Sequence, residues 1–452
     1  MRQITKENLS NNTTYIVNTI YKISVLLYSI IASYKVFLSG KLVFLGKLSW
    51  VIAGYGCLIV IWDLFHKKVY FQKTTIFFAM PITLLCFLST FANRTNLFST
   101  AKWNMHALLT LFLIMQFPSN FKVETIQRQI NIIIKVLVSI LTGYLLLAVF
   151  VICFHKPTNI HIDGIPAYWG IEKGRLDVFL NPNTLGIYIM LLISFSLCLF
   201  FIIRSKLIKI LLLLSIALSF YILTLTQSRG AEFSLCLFLF FSAYLWLFQF
   251  SQKKHFVIKL VLFGAISSLL AITIWTMMAH IYSSSIYSLT GHDWEARTII
   301  STKTQSISFS SRDKIWKEAF LVIRNNPFLG LGGGGETMKK TISEFHEATS
   351  ALQSVNGNTH NTILQLALQN GIPFAFICVL YYFITLFKFI RNSLVQHLPK
   401  FLIILFSLFL SLSIWGMIES ITSGTWSLYL FSFFFLFSIF NYLGNMHIVT
   451  HK

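Results

Sequence analysis

The sequence has 452 residues, of which 56% are apolar, 16% aromatic and only 11% charged. This composition excludes an ordinary soluble domain and indicates a polytopic membrane protein. The formal net charge is +21. The basic residues are dispersed among loops without a nucleic-acid-binding motif, so we attribute the charge to contact with anionic membrane lipids and predict no nucleic-acid partner.

Apolar runs of about 20 residues, the length that crosses a bilayer as a helix, recur along the chain. Because a backbone in lipid must satisfy its own hydrogen bonds, we interpret these runs as helices. We therefore predict an all-α integral membrane protein, a single polytopic domain over residues 1–452 with about twelve transmembrane helices. The predicted spans are 15–33, 48–65, 74–92, 101–117, 131–154, 183–203, 208–226, 231–250, 256–279, 361–387, 401–418 and 425–443.

Lys and Arg residues set the predicted orientation, because they are more frequent in cytoplasmic loops. They favour cytoplasmic N- and C-termini, although Lys35, Lys41 and Lys47 then fall on the outer side. The large extracytoplasmic loop, residues 280–360, lies between the ninth and tenth helices and is expected to carry short helices. The other predicted outside segments with polar candidates are 155–182, 227–230 and 419–425.

The cysteines and histidines do not form a recognisable metal or disulfide pattern. All six cysteines lie within apolar runs, and no histidine has the spacing of a metal-ligand motif. We predict neither a disulfide framework nor a structural or catalytic metal.

The first polar segment outside the predicted membrane is KGRLDVFLNPNTLG, from Lys173 to Gly186. Asn181 followed by Pro182 is typical of a helix N-cap and its first helical residue, so the sixth helix begins here with its positive dipole end outside. Arg175 lies a few residues upstream. The same pattern also fits a capped helix whose neighbouring arginine extends to the membrane interface.

The second segment is LTQSRGAEF, from Leu225 to Phe233, a tight outside turn between two apolar runs. It holds Arg229 at the outer rim of the bilayer. An arginine near lipid is energetically costly, which makes it a candidate functional residue. An ion pair with Glu232, three residues later, is the structural alternative, and the sequence leaves both open.

The long loop contains SSRDKIWKEAFLVIRNNPFLGLGGGGE, residues 310–336. Its apolar residues recur at helical spacing and predict an amphipathic helix that ends before Asn325 and suits the membrane interface. Arg312 would lie in the first turn, where a cation opposes the helix dipole, so helix stability does not explain it. The predicted apolar face consists of Ile315, Trp316, Ala319, Phe320 and Ile323.

A glycine run follows this predicted helix. Gly330, Gly332 and Gly335 match the spacing G-x-G-x-x-G. Because the run follows a helix instead of a strand and is predicted to lie outside the cell, we reject a dinucleotide-binding interpretation. An anion-binding backbone and a flexible loop both remain open.

His360 stands in NGNTHNTILQLALQNG, where the chain re-enters the membrane. Asn358 or Thr359 is the predicted cap of a membrane helix that begins near Asn361, which puts the imidazole at the positive end of that helix. Nearby cations and the helix dipole are expected to disfavour the protonated form of this imidazole. A neutral ring can accept a proton, which is what a general base must do. A lone interfacial histidine is more often a structural polar residue.

The polar candidates share one predicted side of the membrane. Three helix N-termini open there, together with Arg175, Arg229, Arg312 and His360. Guanidinium groups and helix N-termini both bind phosphate oxygens, so this combination predicts a site for a diphosphate.

In this order, the segments GRLDVFLNPNTLG, SRGAE, SSRDKIWKEAFLVIRNNPFLGLGGG and NTHNTILQLALQNGI resemble the O-antigen ligase and O-antigen polymerase superfamily of bacterial membrane glycosyltransferases. The resemblance spans about residues 170–375. It implies a metal-independent, inverting enzyme of the GT-C type without a cofactor, in the bacterial inner membrane, with its active site on the outer face. The implied donor is a glycan on undecaprenyl diphosphate, and the acceptor is a glycan or glycolipid.

The resemblance also implies roles for single residues. Arg229 and Arg312 match the arginines that hold the diphosphate, and His360 matches the residue that activates the acceptor hydroxyl. Glu419, in GMIES, stands where the family often has an acid and is an accessory candidate. The candidates for substrate binding are Arg175, Asn183, Asn361 and Glu419.

Three functions remain open from the sequence. We predict an O-antigen or capsule polymerase, which extends a lipid-linked repeat unit and has a chain-length regulator protein as a further partner. The alternative is a ligase that transfers the glycan to lipid A core or another acceptor. A lipid-linked oligosaccharide transporter is less consistent, because transporters place ionisable groups near the midplane between related halves. Here Lys22, Lys135 and Asp63 are the main such groups, and no internal repeat is evident.

Overall fold

A computed structural model describes residues 2–33, 43–65, 73–117, 123–154, 158–162, 165–172, 174–178, 181–249, 256–292, 312–333, 336–344, 349–393, 398–419 and 427–445. The helices of the first part of the chain are α1 (Arg2–Ser33), α2 (Val43–Phe65), α3 (Lys73–Ala92), α4 (Leu97–Leu109), α5 (Val123–Cys153), α6 (Pro182–Ile202), α7 (Lys206–Thr226), α8 (Arg229–Gln249) and α9 (Phe256–Thr290). They are followed by α10 (Arg312–Asn325), α11 (Glu336–Ser343), α12 (Ser350–Ser354), α13 (Thr362–Asn370), α14 (Ile372–Ser393), α15 (Lys400–Trp415) and α16 (Leu428–Asn445).

The predicted all-α membrane architecture is confirmed. Each predicted span overlaps a helix, and in the described part of the chain nine helices are long and apolar enough to cross a membrane. These nine lie in α1, α3, α5 to α9, α14 and α16, and α15 is a shorter apolar helix. The predicted count of twelve spans is therefore not confirmed. Helix α9 continues to Thr290, so residues 280–290, which the sequence assigned to the outer loop, are helical.

The predicted span 361–387 is wrong as a single helix. The chain breaks at Gly371, where φ is +90°, and α13 and α14 lie on either side. A Cβ at this position would lie 2.0 Å from the carbonyl oxygen of Phe328. The neighbouring Ile372 N–H donates to the Pro327 carbonyl over 2.7 Å. Close approach of a loop backbone therefore interrupts the apolar run, and only a residue without a side chain fits there.

A small antiparallel sheet, which was not predicted from the sequence, lies between α5 and α6. Its order is β1 (Thr158–Ile162), β2 (Ile165–Glu172) and β3 (Arg175–Val178). The register pairs Trp169 with Val178 and Glu172 with Arg175. Tyr282 of α9 donates a hydrogen bond from its hydroxyl to the Gly174 carbonyl over 2.8 Å, which ties the β2–β3 turn to α9.

Helix α6 is the most enclosed of the candidate spans. It packs against α5, α7, α8 and α15, and its residues from Leu185 to Phe195 are almost completely buried. A helix that is apolar on all sides is typical of such a central position. Its N-terminus is therefore held firmly at the end of the bundle where Arg175 and Asn183 lie.

Lys22 on α1 has a structural explanation. Its side chain is fully buried, and Nζ donates to the Gln116 carbonyl over 3.1 Å and lies 4.1 Å from the centroid of the Phe117 ring. A carbonyl oxygen and the face of an aromatic ring both attract a cation. This intramembrane charge is therefore accommodated by packing.

A second, smaller apolar core lies among the helices from α10 to α14. Ile315, Ala319 and Ile323 of α10 are buried in this core. They lie on one face of the helix, as predicted, but this face packs against other protein side chains instead of the membrane interface. Phe320, which the sequence placed on the same face, is 60% exposed. The partners of α10 in this core include Leu331, Met338, Ile342, Leu352 and Leu368.

Candidate active site

A carboxylate, an imidazole and a guanidinium meet at one end of the bundle. Oε1 of Glu419 accepts a hydrogen bond from Nη2 of Arg312, and Oε2 of Glu419 lies 2.6 Å from Nδ1 of His360. We call these three residues the Glu419 cluster. Their side chains are between 19% and 25% exposed, so a substrate can reach them. Because a carboxylate is an acceptor, we assign a proton to Nδ1, so the tautomer that can accept a proton does so at Nε2.

Helix α10 carries Arg312 at its first residue. Trp316, one turn later, donates from Nε1 to the carbonyl of Thr359 over 2.9 Å. Glu318, which is buried, accepts hydrogen bonds from the backbone N–H groups of Ala351 (3.3 Å) and Leu352 (2.7 Å) at the start of α12. Two contacts therefore tie α10 to the segment that leads into His360, and neither is predicted by a sequence pattern.

His360 adopts an unusual backbone conformation, with φ at +50°. This left-handed region costs a residue other than glycine about 1 kcal/mol or more, and it occurs often at functional sites. The His360 N–H donates to Oδ1 of Asn358 over 3.0 Å. The neighbouring Thr359 is completely buried, and its N–H donates to Oε1 of Gln365 over 2.8 Å.

The predicted cap of the helix after His360 is wrong. Asn361, not Asn358 or Thr359, is the N-cap of α13, and its Oδ1 accepts from the Leu364 N–H over 3.0 Å. Its Nδ2 donates to the Met417 carbonyl over 2.9 Å. Both ends of the Asn361 amide are thus used within the protein, which gives this predicted substrate-binding residue a structural function.

The N-terminus of α13 is bound to the turn that follows α15. Thr362 N–H donates to the Gly416 carbonyl over 2.8 Å, and Glu419 N–H donates to the Trp415 carbonyl over 2.9 Å. These backbone bonds hold the segments that carry His360 and Glu419 side by side. The contact between the two side chains therefore rests on main-chain geometry from both helices.

A second group of polar side chains lies where α6, α7 and α8 meet. Arg175 on β3 donates from Nη2 to Oδ1 of Asn183 over 2.6 Å and from Nε to the Thr226 carbonyl over 3.1 Å. Glu232, which is buried, interacts electrostatically with both Arg175 and Arg229. We call Arg175, Asn183, Arg229 and Glu232 the Arg175 cluster. Asn181 caps α6, as predicted, by accepting from the Asn183 N–H over 2.9 Å.

Two glycines allow the close packing around the Arg175 cluster. A Cβ at Gly186 on α6 would lie 2.5 Å from the Cβ of Ser228. A Cβ at Gly230 on α8 would lie 3.2 Å from the indole nitrogen of Trp415, four residues before Glu419. The contact of Gly230 with Trp415 places both clusters at the same end of the bundle.

An apolar cavity of about 260 Å³ adjoins the Glu419 cluster. Thr362 and Met417 line the end near the cluster, and Phe374, Tyr381 and Phe383 line it along α14. From Phe374 to Phe383 the helix rises by about 14 Å, so the cavity extends well into the apolar part of the bundle. Side chains of α3, α4, α15 and α16 complete its wall.

Part of the predicted pattern lies outside the described residues. This concerns Ser310 and Ser311 of the long-loop segment and Gly335 of the glycine run. Within the run, Gly330 and Gly332 have positive φ angles and pack tightly against Gln369 and Thr100. For these two glycines, close packing accounts for the residue type.

The fold and the site define a class of protein. It is a multi-pass membrane protein with two polar clusters at one end of its helix bundle and an apolar cavity beside one of them. Residues 214–379 match the family model described as O-antigen ligase, a region that includes Arg229, Arg312 and His360. The match confirms the resemblance to the O-antigen ligase and polymerase superfamily, and it supports a glycosyltransferase-like function in surface polysaccharide biosynthesis. A comparison with curated proteins finds no match.

Proposed function

We propose that the protein transfers a glycan from undecaprenyl diphosphate to an acceptor hydroxyl, without a metal and with inversion at the anomeric carbon. The observation that carries the proposal is the shared carboxylate of Glu419, which contacts the imidazole of His360 and the guanidinium of Arg312. This contact brings a candidate base next to a candidate diphosphate-binding group. The displacement of the lipid diphosphate by an acceptor hydroxyl needs a base for the hydroxyl and positive charge for the diphosphate.

In the proposed reaction, Nε2 of His360 accepts the proton of the acceptor hydroxyl as its oxygen attacks the anomeric carbon. The bond between that carbon and the diphosphate oxygen breaks, and the electron pair leaves with the lipid diphosphate. Glu419 accepts the hydrogen bond from Nδ1 and stabilises the imidazolium that forms. Attack opposite to the leaving group inverts the anomeric configuration.

Arginines supply the positive charge that the departing diphosphate needs. Arg312 offers the guanidinium nitrogens that Glu419 does not use, and a guanidinium binds phosphate oxygens in a fork geometry. Arg229 and Arg175 would contribute charge from the second cluster, where Asn183 accepts a hydrogen bond from Arg175. Charge placed in advance where it develops in the transition state is an effective form of catalysis.

The cavity suits the apolar part of the donor. A polyprenyl diphosphate has an anionic head and a long apolar tail, and the cavity connects the polar end of the bundle with its apolar interior. We propose that the first isoprene units lie there while the diphosphate contacts the arginines. The proposed location is the bacterial inner membrane with both termini cytoplasmic and the clusters outside, which the distribution of Lys and Arg supports.

Two acceptors fit this mechanism. Our first candidate is the polymerase reaction, in which the acceptor is another lipid-linked repeat unit and a chain-length regulator is a partner. The second candidate is the ligase reaction, which transfers the glycan to lipid A core or another acceptor. The description of the matched family as O-antigen ligase favours this second candidate.

Reconstitution tests the proposal. The purified protein is mixed with lipid-linked repeat units, with and without lipid A core, and the products are sized. A ladder without core supports the polymerase, and a single transfer that requires core supports the ligase. We expect His360→Ala to abolish either product while the variant remains folded, with His280→Ala on the exposed side of α9 as the control. Unchanged donor in both reactions of the wild-type protein would contradict the enzymatic proposal and favour transport.

A further inference from the structure

We propose that Trp316 and Gln365 are positioning residues that hold His360 in its reactive geometry. Through Trp316, α10 would also fix the distance between the base and Arg312. The inference rests on the proposed role of His360 as a base. It goes further by assigning a function to two residues that do not belong to either polar cluster.

The conformation of His360 requires support. Its φ of +50° lies in the left-handed region, which is unfavourable for a residue with a side chain. Gly357, three residues earlier, has a φ of +72°, and glycine is the residue type that adopts this region without strain. Oδ1 of Asn358 accepts the His360 N–H over 3.0 Å. The conformation therefore depends on contacts made by the residues on either side.

Hydrogen bonds hold the backbone of Thr359, the residue before His360, in place. Its N–H donates to Oε1 of Gln365 over 2.8 Å, and its carbonyl accepts from Nε1 of Trp316 over 2.9 Å. Its hydroxyl donates its one proton to the Asn361 carbonyl over 2.8 Å. Thr359 and Gln365 are buried, at 0% and 3% exposure, so water does not readily replace a lost bond.

Two residues of α10 are connected to His360 by separate sets of hydrogen bonds. Arg312 reaches the imidazole of His360 through Glu419, and Trp316 reaches the backbone before His360 directly. Both residues lie on the same side of α10, because they are four positions apart. A shift of α10 would therefore displace the guanidinium and the base together, and the distance between them would be kept.

Two substitutions remove the proposed contacts. Trp316→Phe removes the indole N–H together with part of the ring system, and Gln365→Met removes the acceptor oxygen with little change in volume. The matched controls are Trp62→Phe on the exposed part of α2 and Gln353→Met on α12. Each purified full-length variant is measured for melting temperature, for kcat and donor KM, and for the rate at which diethyl pyrocarbonate modifies His360, followed by peptide mass spectrometry.

We expect both substitutions to lower kcat between about tenfold and about 100-fold, with little change in donor KM. We also expect His360 to react at least about threefold faster, because an imidazole released from Glu419 is more accessible. The controls should leave both quantities unchanged. If His360 is modified at the wild-type rate in one of the two variants, the residue substituted in that variant is not a positioning residue, whatever transfer activity the variant has. Since this rate requires no turnover, it tests the positioning role even if His360→Ala retained transfer.

Discussion

Nδ1 of His360 lies 2.6 Å from Oε2 of Glu419, although the two residues are 59 positions apart in the chain. The other oxygen of the same carboxylate accepts from Arg312. The candidate base and one candidate diphosphate ligand therefore share a single partner. A change at Glu419 should affect both proton transfer and charge stabilisation.

Glu419→Gln tests this shared role. The amide keeps the size of the side chain but cannot stabilise an imidazolium by charge, so we expect kcat to fall by about 100- to 10,000-fold. The measurement is steady-state transfer by purified protein of unchanged melting temperature. Glu344→Gln, at an exposed position directly after α11, is the control. Wild-type turnover in Glu419→Gln would show that the carboxylate is not required.

Arg312→Lys separates charge from geometry. Lysine keeps the positive charge but cannot contact Glu419 and a phosphate oxygen through one planar group. We expect kcat/KM for the donor to fall by about 10- to 100-fold, the range for a lost hydrogen bond between charged groups. Arg324→Lys, an exposed change on the same helix, should have no effect. Equal losses in the two variants would point to a general effect on α10.

Gly186→Ala tests the packing that holds the Arg175 cluster. The added Cβ would meet the Ser228 Cβ at 2.5 Å, and overpacking of this kind destabilises a fold by about 1 to 3 kcal/mol. We expect a lower melting temperature and a higher donor KM. Gly143→Ala on α5, where no atom lies within 4 Å of the new Cβ, is the control. Adding Ser228→Gly should restore the donor KM, and failure to do so would show that the clash is elsewhere.

Ala107→Phe tests the cavity. Ala107 lines it from α4, so a phenyl ring would occupy part of the 260 Å³. We expect lower turnover of donors with a long polyprenyl tail and little change for donors with a short tail, because only the former need the full cavity. Ala92→Phe, at an exposed position near the end of α3, controls for added bulk. An equal loss with both donor lengths would argue against tail binding there.

Sequence patterns identified many of the elements that carry the site. The spacing of Ile315, Ala319 and Ile323 predicted α10, and Asn181 with Pro182 predicted the start of α6, because these are local signals. The three-stranded sheet before α6 was missed, although Gly174 marks its second turn at a φ of +73°. The break at Gly371 was missed as well, because it depends on the approach of Phe328 from a distant loop.

The sequence by itself determined the membrane class, the helical fold and the resemblance to the superfamily, since apolar periodicity and short motifs are properties of neighbouring residues. It also named His360, Arg312, Glu419, Arg229, Arg175 and Asn183 as site candidates. Only the tertiary structure decided which of them touch, since a contact across 59 or 107 positions depends on how α10, α13 and α15 pack. The same packing revealed Trp316 and Gln365, whose partners are backbone atoms that no residue pattern identifies.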